Sequence, residues 1–304
     1  MVNNQNINVF YKKKCHSWEE DFLENDVFNQ KYFDFPINIK YLNDDMDINI
    51  YKSDDKNIII FNDVLKIDYL NFLIEKLNPK MLIFIGDESG NKQVYHELEK
   101  KTNIFYRQYN NPRKIMYNKN SLQFPLGYVK HFLKGKSSLD IECLKIKDRK
   151  YISSFVGTMK SDRYLMCKIF KDSFPNSYFA STQTDWGNPL NQIVKPDMLY
   201  DIYNQSIFVV NGRGNISLDC FRIYEGIVAG AIPVIVGNMN EIEETFNYNN
   251  DMPIFIIGKD WNNALLQCKE LLKDIDKLQE FQNKNKEWWK RNIYLIQNNI
   301  KLLI

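Results

Sequence analysis

Short apolar runs alternate with segments of helical spacing in two stretches of the chain. The first stretch has apolar runs at residues 57–61 and 81–85, and leucine and isoleucine recur at helical intervals between them, over residues 67–77. The second has apolar runs at residues 206–210 and 231–236. Runs rich in Ile, Phe and Val are typical of strands buried on both faces, and a helix joining two such strands makes a parallel crossover. The pattern therefore predicts two βαβ units and an α/β fold.

The segment between the two runs of the second stretch has the features of a ligand-binding loop. Gly212 and Gly214 punctuate it, and Arg213 and Arg222 add positive charge. Ligands of open α/β sheets bind beyond the carboxyl ends of the strands, and a glycine-containing turn before a helix offers N–H groups to a phosphate. On loop composition alone a second interpretation stays open, in which the glycines make a tight turn and the arginines pair with surface carboxylates.

The helix that follows this loop has predicted ends. Asp219 is predicted as its N-cap, and Gly230 stands where the helix would end. Pro233 lies inside the next apolar run, so that run fits a strand only if the proline is near the strand's entrance or at a sheet edge.

The string CFRIYEGIVAGAIPVIV, residues 220–236, resembles the signature of the exostosin-like glycosyltransferases. The matching positions are Arg222, Glu225, Gly230 and the triplet IPV at residues 232–234. The order of three further strings, GDE, IFYRQY and FPLGY, is similar to that in ribitol xylosyltransferase-like members of the group. The resemblance implies the GT-B architecture, an α/β fold in which two Rossmann-like domains face each other across a cleft and a C-terminal helix crosses back to the first domain.

The resemblance also implies roles for the matching residues. Enzymes of this family transfer a sugar from a nucleotide sugar, so Glu225 is expected to hold the ribose hydroxyls, and Arg222 and the preceding loop are expected to face the diphosphate. On the residues alone Glu225 has a second interpretation, as a helix-surface carboxylate paired with Arg222 at i,i+3.

Residues 151–163 add a second phosphate-facing loop. A predicted strand at residues 151–156 precedes Gly157 and Thr158, and the string SFVGT…R resembles the first strand and loop of the donor domain in exostosin-like enzymes. It implies that Thr158 and backbone N–H groups meet phosphate, with Arg163 as a charge clamp. The alternative is Ser161 as an N-cap beside a solvated Arg163. The predicted donor-binding residues are Gly157, Thr158, Arg163, Arg213, Gly214, Arg222 and Glu225.

Two carboxylates follow the apolar run at residues 81–85. Inverting sugar transfer needs a general base that takes the proton from the acceptor hydroxyl, and Glu88 and Asp87 are the candidates. For Asp87 the other interpretation is a cap for a helix that begins near Lys92. His96, on that helix, is an alternative base.

The length of the chain and the GT-B architecture that the resemblance implies lead to a domain prediction. The 304 residues suit two domains. We predict an acceptor-side domain at residues 1–145, a nucleotide-sugar donor domain at 146–280, and a C-terminal helix at 281–304 packed on the first domain; a polar linker is expected at 135–149. Trp288 and Trp289 are predicted to pack in a core rather than to stack on a sugar.

Composition and short sequence patterns limit the classes of partner and cofactor that we expect. The net charge of +2 gives no sign of a nucleic-acid partner, and the five cysteines lack the spacing of a disulfide framework or a zinc site. No apolar stretch has the length of a signal peptide or a membrane span. The string Asp45-Met46-Asp47 lies in a polar early segment, and no Asp-x-Asp string stands where a metal-dependent transferase would place one, so no metal cofactor is expected. A cytoplasmic enzyme of a bacterium or large virus is the expectation.

The resemblance therefore implies an inverting glycosyltransferase with a nucleotide sugar as co-substrate, and we expect it to be metal-independent. The donor is expected to be a UDP-sugar such as UDP-xylose, and the acceptor a glycan, a polyol or a protein-linked glycan. Two alternatives stay open: a fucosyltransferase-like GT-B enzyme that uses GDP-fucose, and a non-catalytic nucleotide-sugar-binding protein.

Overall fold

The computed structural model of the chain describes residues 6–12, 18–42, 46–52, 55–109, 121–182, 193–248 and 250–304. Two compact units are present. Unit 1 consists of residues 1–126 with 293–304, and unit 2 of residues 127–292. The string Asp45-Met46-Asp47 lies partly outside the described residues, and Cys15 and His16 lie outside them.

Unit 1 contains a six-stranded parallel sheet of order β2-β1-β3-β4-β5-β6. A short π-helical segment, Leu23–Val27, continues the first helix. The elements of this unit are β1 (Ile7–Tyr11), α1 (Glu20–Phe22), β2 (Ile37–Tyr41), β3 (Lys56–Phe61), α2 (Ile67–Leu77), β4 (Met81–Phe84), α3 (Gln93–His96), β5 (Ile104–Arg107) and β6 (Ser121–Gln123).

Unit 2 contains a five-stranded parallel sheet of order β11-β10-β9-β7-β8. Its elements are β7 (Tyr151–Val156), α4 (Arg163–Ser173), β8 (Ser177–Ala180), α5 (Pro196–Asn204), β9 (Ser206–Asn211), α6 (Phe221–Val228), β10 (Ile232–Val236), α7 (Met239–Phe246), β11 (Ile256–Gly258), α8 (Trp261–Leu271) and α9 (Ile275–Lys301). Helix α9 begins in unit 2, and its residues from Ile293 onward belong to unit 1.

Each sheet has one place where the direction of winding reverses. In unit 2 the chain goes from β7 to β8 on one side and returns to β9 on the other, so the reversal lies between β7 and β9. In unit 1 it lies between β1 and β3. Ligands of open α/β sheets bind beyond the carboxyl ends of the strands at such a switch point. The loops after β7 and β9, which contain most of the predicted donor-binding residues, flank the switch point of unit 2.

The strongly apolar strands were predicted and the first two strands were not. The predicted βαβ units correspond to β3-α2-β4 and β9-α6-β10, and Pro233 is the second residue of β10, near its entrance as expected. Strand β1 is wholly buried but is only five residues long in a polar region, whereas β2 is a partly exposed edge strand. Neither has enough apolar length to produce a clear signal.

The stretch predicted to be a polar linker is packed into unit 2. Ser137, Leu139, Ile146 and Arg149 are all buried, so the linker interpretation is wrong. The charged Arg149 can be buried here because hydrogen bonds satisfy its guanidinium. Its guanidinium donates to the carbonyls of four residues, at 2.6 to 3.2 Å: Leu144, Tyr203, Ser206 and Ala229. Burial lowers the pKa of Arg149 to about 10, which leaves it charged at neutral pH.

Helix α6 starts later than predicted and ends as predicted. Its N-cap is Cys220 in extended backbone geometry, with no side-chain cap, so the prediction of Asp219 as N-cap is wrong. At the other end Gly230 has φ +75 and donates to Ile227 O at 2.9 Å, and Ala231 N donates to Gly226 O at 2.8 Å. These two bonds form a Schellman motif, which requires the left-handed conformation at Gly230.

Helix α9 contributes a buried tryptophan pair. Trp288 and Trp289 are 1% and 2% exposed, and their indole N–H groups donate to Asp251 O at 2.9 Å and Ser138 Oγ at 2.7 Å. The prediction of core packing is confirmed. Among the described residues no helix has the length and apolar character needed to cross a membrane.

We expect Gly230→Ala to destabilise the protein more than Gly135→Ala. Both glycines have positive φ, +75 and +79, so each substitution carries the left-handed cost of about 1 kcal/mol. A Cβ at Gly135 meets nothing within 4 Å, whereas one at Gly230 meets Gln282 Nε2 at 2.5 Å and Arg149 Nη2 at 2.6 Å. In urea unfolding, the free energy of unfolding of Gly230→Ala should be lower than that of Gly135→Ala by roughly 2 kcal/mol or more. Equal losses would show that the contacts at Gly230 are unimportant.

Candidate functional site

The loops after β7 and β9 are joined by Arg163, the first residue of α4. Its Nη1 donates to Thr158 O at 2.8 Å, and its Nε donates to Arg213 O at 3.1 Å, with Nη2 on the same carbonyl. Gly212 lies so close that a Cβ there would be 2.6 Å from Arg163 Cγ. Arg163 is 3% exposed, so the interpretation of a solvated arginine is wrong; Ser161 is not the N-cap of α4 either, since Asp162 occupies that position. The side chain fixes the two loops relative to each other.

Arg222 lies beside Arg163 and has unused hydrogen-bonding capacity. Its guanidinium carbon is 5.2 Å from the centroid of the Phe155 ring, and that of Arg163 is 5.9 Å from the same centroid. Nε and Nη2 of Arg222 are buried and have no hydrogen-bond partner among the described residues. A buried charged donor without a partner is costly, since its desolvation is not compensated. This atom pair is the clearest sign in unit 2 of a place for an anionic ligand.

The two guanidinium groups repel each other. Burial first, and then the charge of Arg222, lowers the pKa of Arg163 to about 10. Both groups stay protonated at neutral pH, so the corner around Phe155 carries two positive charges at the carboxyl ends of the switch strands.

The glycines of the two loops provide space rather than free donors. A Cβ at Gly157 would lie 2.9 Å from Arg222 Nη1, so only glycine lets the backbone pass this guanidinium. The N–H of Gly157 donates to Ala180 O at 3.2 Å and that of Gly214 to Ser217 O at 2.8 Å. The prediction that backbone N–H groups of these loops meet phosphate therefore does not apply to these two as the loops stand. Thr158 contributes its carbonyl to Arg163.

Glu225 lies one turn after Arg222 on the buried face of α6. It is 2% exposed, which rules out the interpretation of a helix-surface carboxylate. Its Oε1 accepts from Val129 N at 3.3 Å. Burial raises the pKa of Glu225 to about 7, against the opposing effects of that bond and of Arg222. The carboxyl group thus titrates near neutral pH.

Arg213 does pair with a carboxylate, as the simpler interpretation of the loop allowed. Its Nη1 and Nη2 lie 2.5 and 2.7 Å from Glu241 Oε1 and Oε2. These hydrogen bonds raise the pKa of Arg213. Phe155, Val129 and Glu241 were absent from the predicted site. Of these, only Phe155 had a sequence signal, since it lies inside the string SFVGT.

In unit 1, Asp87 organises the loop after β4. Its Oδ1 accepts from Asn91 N at 3.0 Å and Ser89 Oγ at 3.2 Å, and its Oδ2 accepts from Lys92 N at 3.0 Å and lies 2.9 Å from His96 Nε2. Burial opposes ionisation, but the bonds from His96, Lys92 and Asn91 outweigh it, and the pKa of Asp87 is lowered. A carboxylate so fully bonded is a weak proton acceptor. The capping interpretation of Asp87 describes this geometry.

Glu88 is the next residue of this loop and is half-buried. It stays the predicted base. His96 is buried beside Phe84, with ring centroids 4.8 Å apart. Over the described ranges, no group of three or more His, Cys, Asp or Glu side chains is arranged to hold a metal ion.

We expect the stability of the wild-type protein, relative to Glu225→Gln, to fall with rising pH. The folded-state pKa is about 7 against an ordinary 4.5, so the protonated form is favoured by folding. That contribution is complete below pH 4.5 and is lost as the pH rises through 7. The shift corresponds to about 3 kcal/mol. Urea unfolding at pH 5 and pH 8.5 measures it, with exposed Glu287→Gln as the control. A pH-independent difference would show that Glu225 is ionised in the fold throughout.

Comparisons with known proteins identify the family. The family model for the RXYLT1 C-terminal domain matches residues 134–297. No curated protein matches the sequence.

Solved structures resemble the fold at low sequence identity. A T4 phage BGT mutant in complex with UDP-glucose has a TM-score of 0.51 at 12% identity, over 98% of this chain and 99% of that one. A Thermobaculum terrenum O-GlcNAc transferase mutant has a TM-score of 0.52 at 8% identity, over 99% of this chain and 67% of that one. An α1,3-fucosyltransferase has a TM-score of 0.50 at 13% identity, over 94% of this chain and 84% of that one. These similarities establish the GT-B fold. Since the family match spans more than half of the 304 residues, the chain belongs to the RXYLT1 C-terminal domain family, and it is an exostosin-like GT-B glycosyltransferase.

Proposed function

We propose that the enzyme transfers a sugar from a UDP-sugar, such as UDP-xylose, to a hydroxyl of a glycan, polyol or protein-linked glycan. The transfer inverts the configuration at the anomeric carbon. Arginines, rather than a metal ion, supply the positive charge that stabilises the leaving diphosphate. The T4 phage BGT mutant, which shares the fold, was solved with UDP-glucose, and this favours a uridine nucleotide.

The observation that carries the proposal is the buried, unpartnered edge of Arg222. Nε and Nη2 present two parallel N–H groups, the arrangement that suits two oxygens of a phosphate. The position beyond β7 and β9 is where an α/β sheet binds a ligand. A diphosphate in this corner satisfies Arg222 and offsets the repulsion between Arg222 and Arg163.

The same corner stabilises the leaving group. The acceptor hydroxyl oxygen attacks the anomeric carbon, and the bond from that carbon to the phosphate oxygen breaks. Its electron pair departs with the nucleoside diphosphate, whose increased negative charge is matched by the guanidinium of Arg222. Arg163 keeps both loops in place during this change.

Glu225 and Glu88 take the remaining roles in the proposal. Glu225 accepts the ribose hydroxyls, and because O–H donors favour the ionised form, nucleotide binding lowers its pKa. Glu88 takes the proton from the acceptor hydroxyl. Asp87 orients the loop that contains Glu88, since its own carboxylate accepts from three donors and lies 2.9 Å from His96 Nε2.

We expect UDP to raise the melting temperature of the wild-type protein and Arg222→Gln to bind UDP at least about tenfold more weakly, since one charge-assisted pair is lost. Isothermal calorimetry gives the affinities. Arg291→Gln, which removes an exposed arginine of the same unit, is the control and should bind as the wild type does. Comparison of UDP-xylose, UDP-glucuronic acid, UDP-N-acetylglucosamine and GDP-fucose identifies the donor. Stabilisation by GDP-fucose alone would replace UDP in the proposal, and stabilisation by none would refute donor binding at this corner.

Glu88→Gln should lower turnover about 100-fold or more while leaving the affinity for the donor unchanged, because a general base acts in the chemical step. Turnover is measured as UDP released with the donor found above. Asp87→Asn is the companion variant, and it should lower the melting temperature through its loop. Unchanged turnover in Glu88→Gln would assign the base elsewhere.

A further inference from the structure

Arg213 and Glu241 form a bidentate ion pair at the strand ends of unit 2. Each terminal nitrogen of the guanidinium meets one carboxylate oxygen, at 2.5 and 2.7 Å. A carboxylate bound this way presents two coplanar oxygens, as a phosphate does. Glu241 thus occupies both terminal nitrogens of Arg213, an arrangement that also suits two oxygens of a phosphate.

Both partners are fixed through their main chains. Arg213 O accepts from Arg163 Nε at 3.1 Å, so its backbone is tied to the corner that holds Arg222. Glu241 lies in the first turn of α7, where its N–H donates to Asn238 Oδ1 at 2.9 Å. Strand β10, which precedes α7, is the neighbour of β9, so the pair spans two adjacent strand-end loops.

We propose that Glu241 limits the affinity of the donor site by competing with the diphosphate for Arg213. This inference rests on the proposed function, and it adds a residue that sets how strongly the site binds its nucleotide. In the unliganded protein Glu241 neutralises Arg213. A bound diphosphate takes over the guanidinium, and Glu241 turns to solvent.

The exposure of the pair makes this exchange feasible. Arg213 is 39% and Glu241 26% exposed, and ion pairs that water reaches are weak. A diphosphate has more negative charge than one carboxylate, so it displaces Glu241 from Arg213 when it binds. Because the ion pair must first be broken, the affinity for the diphosphate is lower than it would be without Glu241. Removal of the competing carboxylate should tighten binding about threefold to tenfold.

A purely structural pair makes a different prediction. If the pair only anchors α7 to the loop after β9, Glu241→Gln loosens that loop, and UDP binds equally or more weakly. The direction of the affinity change therefore separates the two explanations.

The experiment is calorimetric titration of UDP, and in parallel GDP, into four proteins: wild type, Glu241→Gln, Asp251→Asn and the double variant Glu241→Gln with Arg213→Gln. Asp251 is paired with Arg291 at 2.8 Å, so Asp251→Asn removes a paired carboxylate from the same unit with the same change in net charge. We expect tighter UDP binding in Glu241→Gln only, and loss of that gain in the double variant.

The outcomes separate this inference from the proposed function. Three outcomes would overturn the role of Glu241 and leave the proposed function standing. They are wild-type UDP binding with no gain in affinity in Glu241→Gln, an equal gain in Asp251→Asn, and a gain that persists when Arg213 is also replaced. Absence of UDP and GDP binding in all four proteins would overturn the proposed function together with it.

Discussion

The link that Arg163 makes between two strand-end loops is the interaction on which the candidate site depends. Parallel strands bring the ends of β7 and β9 to one edge of the sheet, but they do not determine how the loops beyond them lie. Arg163 does so by donating to Thr158 O and Arg213 O from a buried position. Gly212 and Gly157 permit the close packing that results, since a Cβ at either would collide with a guanidinium side chain.

Three arginines of unit 2 show how hydrogen-bond saturation separates structure from function. Arg149 is bonded to carbonyls of four residues and holds the helix ends and the preceding segment together. Arg163 is bonded to two carbonyls and holds the loops. Arg222 has two buried nitrogens with no partner among the described residues. Because a buried donor must be satisfied or bear a desolvation cost, Arg222 is the one of these three whose guanidinium keeps unsatisfied donors.

The carboxylates divide in the same way. Asp87 accepts from two backbone N–H groups and a hydroxyl and contacts His96, and these donors lower its pKa. Glu225 accepts from one backbone N–H in a buried setting, and its pKa rises to about 7. Two acids that look alike in the sequence thus differ in charge behaviour because of the number of donors around them. This difference assigns Asp87 to the loop and leaves the pKa of Glu225 near neutral pH.

Local sequence was sufficient for the strands of high apolar content, for the left-handed end of α6 at Gly230 and for the burial of Trp288 and Trp289, because each depends on neighbours along the chain or on hydrophobicity alone. It also indicated Arg222 and Glu225, through the resemblance of the string at residues 220–236. Tertiary structure alone decided that Arg163 is a buried link, that Glu241 occupies Arg213, that Val129 N–H meets Glu225, and that residues 135–149 are packed rather than free. The partners in these contacts are far apart along the chain, by 96 positions for Val129 and Glu225 and by 151 for Ser138 and Trp289, so no local pattern of residues encodes them.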